Sequence, residues 1–348
     1  MIWFAWRQFR LQALVVAGVL VAVAVLFIVT GPSMLHLFDT SVANCRANSD
    51  CGAATTIFHD KYDKIVQFMT TISVIVPALL GIFWGAPLIA RELESGTYRL
   101  AWTQGVMRSR WMVNKLAVVG GASMIAAGLL SWMLTWWATP LDIINQNRFG
   151  SMVYDTHYIT PIGYAAFAFA LGVTAGVLFR HTLPAMATTI VAFAAARLAF
   201  TSYIRPHLMS PVMKNISIKH ATNFGFSRTP SGLQFIAGTS SYPNSLVVKS
   251  VVMGRHGATV TPQWLRLHCP KLIGPPPNAS IGKVGSAPGG PQYFNACVNK
   301  IAQSFHIVMT YQPANRFWTF QWYETSIYVL AGVALCALSV WWVRRRVA

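Results

Sequence analysis

The sequence predicts an all-α polytopic membrane protein with six transmembrane helices per subunit and a mixed or β-rich extracytoplasmic domain between helices 5 and 6. The first observation is composition: of 348 residues, 54% are hydrophobic and only 10% are charged, whereas soluble domains carry about 25% charged residues. The second is a set of six long apolar runs. The third is a long segment without acidic residues that precedes the last run.

Each apolar run is long enough to cross a bilayer, whose hydrocarbon core of about 30 Å requires about 20 residues of helix. The six runs are Leu11–Thr30, Gln67–Ala90, Leu116–Ala138, Ile162–Phe179, Leu183–Tyr203 and Tyr323–Val343. The first exceeds the apolar core of a secretion signal, which has about 7–15 residues, so we interpret it as a retained helix.

The residues before the first run suggest a short helix on the membrane surface. Ile2, Trp6 and Phe9 lie on one helical face, which is typical of an interfacial segment. A frayed terminus with aromatic residues at the interface explains the same pattern.

Positive charge orients the helices, because Lys and Arg accumulate in cytoplasmic connections. Every second connection is basic, so both termini are expected in the cytoplasm of a multi-pass cell-membrane protein. The basic residues concerned are Arg7, Arg10, Arg91, Arg99, Arg108, Arg110, Lys115, Arg180, Arg344, Arg345 and Arg346.

The segment from Ile204 to Trp322 is too long to be a loop. It contains eleven Lys and Arg residues and no Asp or Glu, a formal charge of +11. Ser245–Met253 and Phe305–Tyr311 have the composition of strands. We therefore expect a membrane domain over residues 1–203, an extracytoplasmic domain over 204–322, and the sixth helix with a basic cytoplasmic tail over 323–348.

Four of the five cysteines fall in the predicted outer segments. Disulfides Cys45–Cys51 and Cys269–Cys297 are the simplest pairing for an oxidising compartment, and Cys336 is expected to pack inside the last helix. A zinc site is the alternative, disfavoured because no ligand spacing is recognisable. Its candidate ligands include His207, His220, His256, His268 and His306.

The sequence argues against several kinds of catalysis. It has no GxxxxGK[ST], HExxH or GxSxG motif, and Gly282-Lys283 lacks the rest of a phosphate loop. No acid lies deep in a run, which disfavours a self-energised proton transporter. The chain is therefore not expected to be an enzyme, and a membrane-embedded enzyme is disfavoured.

Arg197 is the one charge that the sequence places inside an apolar run. It is a candidate for the substrate path or a gate. The interpretation that we favour is that its side chain extends to the outer headgroups near the helix end.

The connection from Ala90 to Leu116 holds two acids, five bases and two tryptophans. Tyr98 and Trp102 fall on one side of a short helix, bracketed by Gly96 and Gly105. An ordinary basic loop with interfacial tryptophans explains the bases. It does not explain Glu92 and Glu94 or the amphipathic turn, so docking to another protein is favoured.

These residues resemble the permease subunits of ABC transporters, in the type-2 export class with six helices per subunit, and its actinobacterial multidrug or lipid exporters most closely. The similar stretch is Gly85–Leu116, GAPLIARELESGTYRLAWTQGVMRSRWMVNKL. The resemblance implies a fold with a cytoplasmic coupling helix, here Thr97 to Gln104. It also implies a separate ATP-binding subunit that holds ATP and Mg, so that no cofactor belongs to this chain.

The resemblance further implies that two permease subunits, here as a homodimer, enclose the transport path. The residues implied to bind the ATPase subunit are Glu92, Glu94, Thr97, Tyr98, Arg99, Leu100, Trp102, Thr103, Gln104, Arg108, Arg110 and Trp111. The large domain before the last helix departs from the short hairpin of many relatives, so its role has no support from the family.

Two questions stay open at this point. The basic outer domain is expected to attract membrane lipids, to gate substrate or to cap the structure; nucleic acid is not an expected partner. The alternative function is a membrane sensor or anchor whose outer domain binds a ligand or lipid without transporting it. Gly81-x-x-x-Gly85 and Gly172-x-x-x-Gly176 predict close helix packing, which is compatible with a dimer.

Overall fold

The computed structural model describes residues 2–43, 45, 52–96, 107–218, 223–229, 232–238, 242–254, 257–258, 260–270 and 290–346. The chain divides into two compact units, one formed by residues 1–205 with 317–348 and the other by residues 206–316. The first unit contains the membrane helices and the second contains the sheets.

The first unit is helical. Its α-helices are α1 (Ile2–Leu37), α2 (Gly52–Leu80), α3 (Ala86–Ser95), α4 (Arg108–Asn145), α5 (Ser151–Thr156), α6 (Thr160–Phe179), α7 (Thr182–Ala199) and α10 (Phe317–Arg346). Three π-helical turns, Phe38–Ala43, Gly81–Gly85 and Phe200–Ile204, extend α1, join α2 to α3 and extend α7. Among the described residues, six helices are candidate spans, which confirms the predicted all-α polytopic membrane protein.

The first helix is longer than predicted, because α1 runs without a break from Ile2 to Leu37. The residues before Leu11 are therefore continuous in backbone with the helix of the first candidate span, which begins at Phe9, and their interfacial position stays a prediction. Farther along α1, Phe27 stacks on Trp137 with ring centroids 4.5 Å apart. The indole of Trp137 also donates a hydrogen bond of 2.9 Å to Thr30 Oγ1, which anchors α1 to α4.

The two glycine motifs pack against each other within one chain. A Cβ on Gly81 would lie 2.5 Å from Ala168 O, and one on Gly85 would lie 2.5 Å from Phe169 O. On the opposing helix, a Cβ on Gly176 would lie 2.6 Å from Ala86 O. The predicted close packing is thus present, but it joins α6 to the α2–α3 bend and is not evidence for a dimer.

The second unit contains a three-stranded antiparallel sheet of order β1–β5–β4 and a β2–β3 hairpin. Its strands are β1 (Val212–Ser217), β2 (Asn223–Thr229), β3 (Gly232–Gly238), β4 (Leu246–Gly254) and β5 (Phe305–Gln312), and its helices are α8 (Pro262–His268) and α9 (Gly290–Ser304). β4 and β5 confirm the two predicted strands. Ile301 of α9 and Leu265 of α8 pack with Ile307 of β5 in one buried core.

The cysteines largely follow the prediction. Cys269 and Cys297 form a disulfide with Cα atoms 5.7 Å apart, and both side chains lie in the core of the second unit. Cys45 is disulfide-bonded, but Cys51 lies outside the described residues, so that pairing stays a prediction. Cys336 is a free, half-buried thiol.

Candidate functional site

The predicted docking helix falls in a part of the chain that the structure does not describe, residues 97–106. The candidate residues in that gap are Thr97, Tyr98, Arg99, Leu100, Trp102, Thr103 and Gln104. Both flanks are described: α3 ends at Ser95, followed by Gly96 in a left-handed conformation with φ 74°, and α4 starts at Arg108.

A buried ion pair joins the two flanks. Lys115 Nζ of α4 donates a hydrogen bond to Glu92 Oε1 of α3. The two side chains are only 4% and 15% exposed, and Lys115 Nζ also lies 4.7 Å from the centroid of the Trp111 ring. Because breaking such an enclosed pair leaves an uncompensated charge, α3 and α4 are held together beside the docking segment.

Glu94 joins the same region to a third helix. Its Oε2 accepts hydrogen bonds from the Thr182 backbone N, at 3.1 Å, and from Thr182 Oγ1, at 2.9 Å. Thr182 begins α7, where free N–H groups and the helix dipole favour a carboxylate. The end of α3 is therefore fixed to the start of α7.

These contacts involve residues that the resemblance assigns to the ATPase interface, and that assignment stays a prediction. Glu92 and Glu94 were expected to meet an ATPase subunit, yet their carboxylates bind groups of this chain. Trp111 is 5% exposed and packs in the helix core. Arg110 is exposed, and Arg108 starts α4 with its side chain outside the described part.

A cluster of four charges lies at the other end of α6 and α7. Arg205 Nε and Nη2 each donate a hydrogen bond of 2.9 Å to the two oxygens of Glu324 on α10. Arg205 Nη2 also donates to Asp155 Oδ1 on α5, and Tyr164 OH of α6 donates to Glu324 Oε1 at 2.6 Å. Arg205 is 2% exposed and Glu324 is fully buried.

Arg197 of α7 completes this cluster. Its Nη2 lies 2.5 Å from Asp155 Oδ2, and its Nη1 lies 3.4 Å from Glu324 Oε1. The guanidinium carbon stacks 3.6 Å from the centroid of the Tyr164 ring. Two cations thus face two carboxylates, and the cluster of Asp155, Tyr164, Arg197, Arg205 and Glu324 is formally neutral.

The π-helical turn explains how both arginines reach the same carboxylates. Residues turn about 100° each along an α-helix, so Arg197 and Arg205, eight residues apart, would point about 80° away from each other. The π turn Phe200–Ile204 lies between them and absorbs one extra residue, which reduces the angle to about 20°. The π turn therefore aligns the two guanidinium groups.

The interpretation of Arg197 as a side chain extending to headgroups is wrong, because the guanidinium points into the bundle and is 12% exposed. Sequence reasoning missed Asp155, Tyr164, Arg205 and Glu324 altogether. One signal was present: Glu324 is the only acidic residue after Asp155 in the chain. Glu324 stands alone as an acidic residue at the start of an apolar run, after Arg197 and Arg205 in the sequence. Such an isolated acid indicates that it pairs with a buried basic residue.

The neutral cluster is suited to hold helices in register. Its groups are paired with one another, and the described residues contain no group of three or more His, Cys, Asp or Glu that would bind a metal ion. It connects α5, α6, α10 and the extension of α7. The role of the cluster is therefore to position these helices, since each carboxylate already accepts hydrogen bonds from guanidinium groups.

Comparison with known proteins identifies the membrane domain. The sequence model of the ABC-2 membrane transporter related family matches residues 17–205, more than half of the 348 residues. The match includes the two flanks of the docking segment. It also includes four of the five residues of the charge cluster, of which Arg205 is the last residue matched. No curated protein and no solved structure matches the chain. The chain belongs to the ABC-2 membrane transporter related family, and it is a permease of the ABC transporter type.

Proposed function

We propose that this chain is the permease subunit of an ATP-driven ABC exporter, coupled through Thr97–Gln104 to a separate ATP-binding subunit. The observation that carries the proposal is the pair of contacts beside that segment, Glu92 with Lys115 and Glu94 with Thr182. The Glu92–Lys115 pair is enclosed, whereas the Glu94–Thr182 contact lies at the surface. An ordinary surface loop has no need of such contacts beside it. A loop that receives force from a partner does, because force is transmitted only through a stiff base.

The anchors specify which helices would move. The Glu92–Lys115 pair joins α3 to α4, and the Glu94 carboxylate joins α3 to the first residue of α7. Displacement of the loop would therefore act on three helices as one body. This is the mechanical property required for closure of an ATPase dimer to reshape a transport path.

The remaining assignments of the proposal follow from charge distribution and family membership. ATP and Mg bind the partner subunit, whose hydrolysis powers transport. A second permease subunit, in a homodimer, completes the path. Both termini lie in the cytoplasm and the protein resides in the cell membrane, with residues 204–322 outside, where their basic side chains attract anionic membrane lipids.

Loss of docking tests the proposal. Trp102→Ala and Arg99→Glu are expected to abolish co-purification of an ATP-binding subunit with this chain from mild detergent. Matched controls are Trp132→Ala, which removes another tryptophan that is 69% exposed, and Lys249→Glu, which reverses an exposed charge in the second unit. Retention of the subunit by both docking variants would overturn the assignment. A chain that binds ligand through residues 204–322 and never recruits an ATPase would favour the sensor or anchor function.

A further inference from the structure

A groove runs between α4 and α10 at the end of the bundle that carries the docking segment. Its volume is about 550 Å³. Val113 and Leu116 form one wall, Val333, Ala337 and Val340 form the other, and Arg344 closes one end. The groove thus has apolar sides, and Arg344 is the charged residue among those that line it.

We propose that this groove binds an anionic phospholipid, with one acyl chain along the apolar walls and the headgroup phosphate on Arg344. The proposal does not depend on transport or on an ATPase partner. It rests on the length of the groove, the charge at its mouth and the chemistry of its walls.

The length fits one leaflet. Val333 and Arg344 are eleven residues apart on α10, which corresponds to about 16 Å at a rise of 1.5 Å per residue. One leaflet contributes about 15 Å of hydrocarbon, half of the bilayer core. An acyl chain whose phosphate lies at Arg344 would therefore reach Val333 near the bilayer centre.

The charge at the mouth fits a phosphate. Within the described part of the chain, no acidic side chain pairs with Arg344, whereas the neighbouring Arg345 stacks 5.4 Å from the Trp341 ring. Arg110 is exposed one turn before Val113 on α4, which adds a second cation on that side. Trp341 lines the groove at the depth where tryptophan marks the membrane interface.

The walls fit a lipid chain better than a second protein copy. The small side chains of Cys336 and Ala337 line the α10 wall. A flexible acyl chain fills such a groove without the complementary surface that a packed helix needs. Charge complementarity then selects an anionic headgroup over a zwitterionic one, since only the anionic lipid retains a net negative charge opposite Arg344.

The experiment measures lipid bound to the purified full-length chain in nanodiscs and after transfer to detergent. The probes are phosphatidylglycerol and phosphatidylcholine, read out by native mass spectrometry. Wild-type protein is expected to retain about one phosphatidylglycerol per chain. Arg344→Gln is expected to reduce this occupancy about fivefold, the equivalent of one cation's attraction to an anionic lipid, while Arg345→Gln leaves it unchanged.

A second pair of variants tests the apolar walls. Ala337→Trp fills the groove and is expected to remove the bound lipid, whereas Ala334→Trp, on an exposed position outside the groove, is the matched control. Alkylation of Cys336 by a maleimide gives an independent readout and is expected to slow severalfold with phosphatidylglycerol. The proposal would be overturned if Arg344→Gln and Arg345→Gln lost equal amounts of bound phosphatidylglycerol, or if the wild type retained phosphatidylcholine equally well. Cross-links between two copies of the chain through position 337 would also overturn it.

Discussion

At the scale of single residues, Arg205 is stable inside the membrane domain only because carboxylates enclose it. Its guanidinium forms a two-point contact with Glu324 and a further hydrogen bond with Asp155. Two-point guanidinium–carboxylate pairs are among the stronger hydrogen-bonded contacts in proteins. Deleting Arg205 leaves two carboxylates facing a single arginine, Arg197, so one negative charge is uncompensated.

Arg205→Gln is therefore expected to destabilise the chain by about 3–5 kcal/mol, because Glu324 is left charged and fully buried. The measurement is the thermal unfolding midpoint of the chain in a fixed detergent. Arg10→Gln, at an exposed position of α1, is the matched control and is expected to leave the midpoint unchanged. Equal midpoints for the two variants would contradict the role given to the charge cluster.

His157, between α5 and α6, predicts a pH dependence of stability. Burial lowers the pKa of His157 from 6.5 to about 4, and its hydrogen bond with Val153 O offsets this only in part. Below about pH 6.5 the unfolded chain therefore binds a proton at His157, whereas the folded chain binds this proton only below about pH 4. Stability is complete above pH 6.5 and falls as the pH decreases toward 4.

Between pH 7 and pH 5 the loss attributable to His157 is about 2 kcal/mol. His157→Gln removes the titrating group, so its unfolding midpoint is expected to fall less over this interval than that of the wild type. Nearby titratable groups remain in both proteins, notably Asp142, whose Oδ2 lies 3.5 Å from His157 Nε2. Parallel pH curves for the two proteins would show that His157 is not responsible.

Contacts between individual side chains were the feature that the sequence predicted least well. Arg197 was recognised as unusual, but its partner Asp155 lies in a predicted connection, and Arg205 lies beyond the predicted end of the fifth helix. Contacts between segments so far apart in sequence cannot be read from helical periodicity. The π turn between the arginines has no sequence signature that we recognise, and it alone sets their common direction.

At the scale of elements, glycine positions decide how closely α6 approaches the α2–α3 bend. A Cβ on Gly172 would lie 2.7 Å from Ala86 N and closer still to Gly81 O. Both are backbone atoms, which cannot rotate away. Gly172→Ala is expected to cost about 1–3 kcal/mol through overpacking, measured as a lowered unfolding midpoint.

Gly121 is the control for this substitution, since a Cβ there would meet nothing within 4 Å. Gly121→Ala is expected to be neutral or to stabilise α4 by up to about 1 kcal/mol, because alanine is the better helix former. If both substitutions lowered the midpoint equally, the loss would reflect glycine replacement in general and not the close approach of α6.

Most elements were predictable because the bilayer imposes a simple length and composition rule. All six spans, and strands β4 and β5, follow from apolar length and from the composition of strands. The helices extend past the predicted ends, as α1 does to Leu37, because polar residues continue a helix outside the hydrocarbon. The tight packing of the glycine motifs was predicted, but not that both partners belong to the same chain.

At the scale of the whole molecule, the second unit is expected to depend on its disulfide. The Cys269–Cys297 bond closes a separation of 28 residues, which corresponds to about 3–4 kcal/mol of stabilisation through the unfolded state. Cys297→Ser is therefore expected to reduce amide hydrogen-exchange protection in β4 and β5. Cys336→Ser is the control, and similar protection in both variants would argue against a structural role for the bond.

The membrane unit places anchors at both ends of α7. Thr182 binds Glu94 at the end that carries the docking segment, and Arg197 binds Asp155 at the other. Thr182 and Arg197 are fifteen positions apart, which corresponds to about 22 Å of helix. A rigid helix fixed in this way provides a direct physical connection from the predicted docking segment to the neutral charge cluster.

The most direct test of the central claim is ATP hydrolysis by the complex that co-purifies with this chain in lipid nanodiscs. We expect the wild-type complex to hydrolyse ATP in a Walker-type subunit distinct from this chain, and Trp102→Ala to remove both that subunit and the activity, while Trp132→Ala keeps both. Hydrolysis that persists at the wild-type rate in Trp102→Ala, or a wild-type preparation without any ATP-binding subunit, would contradict the account.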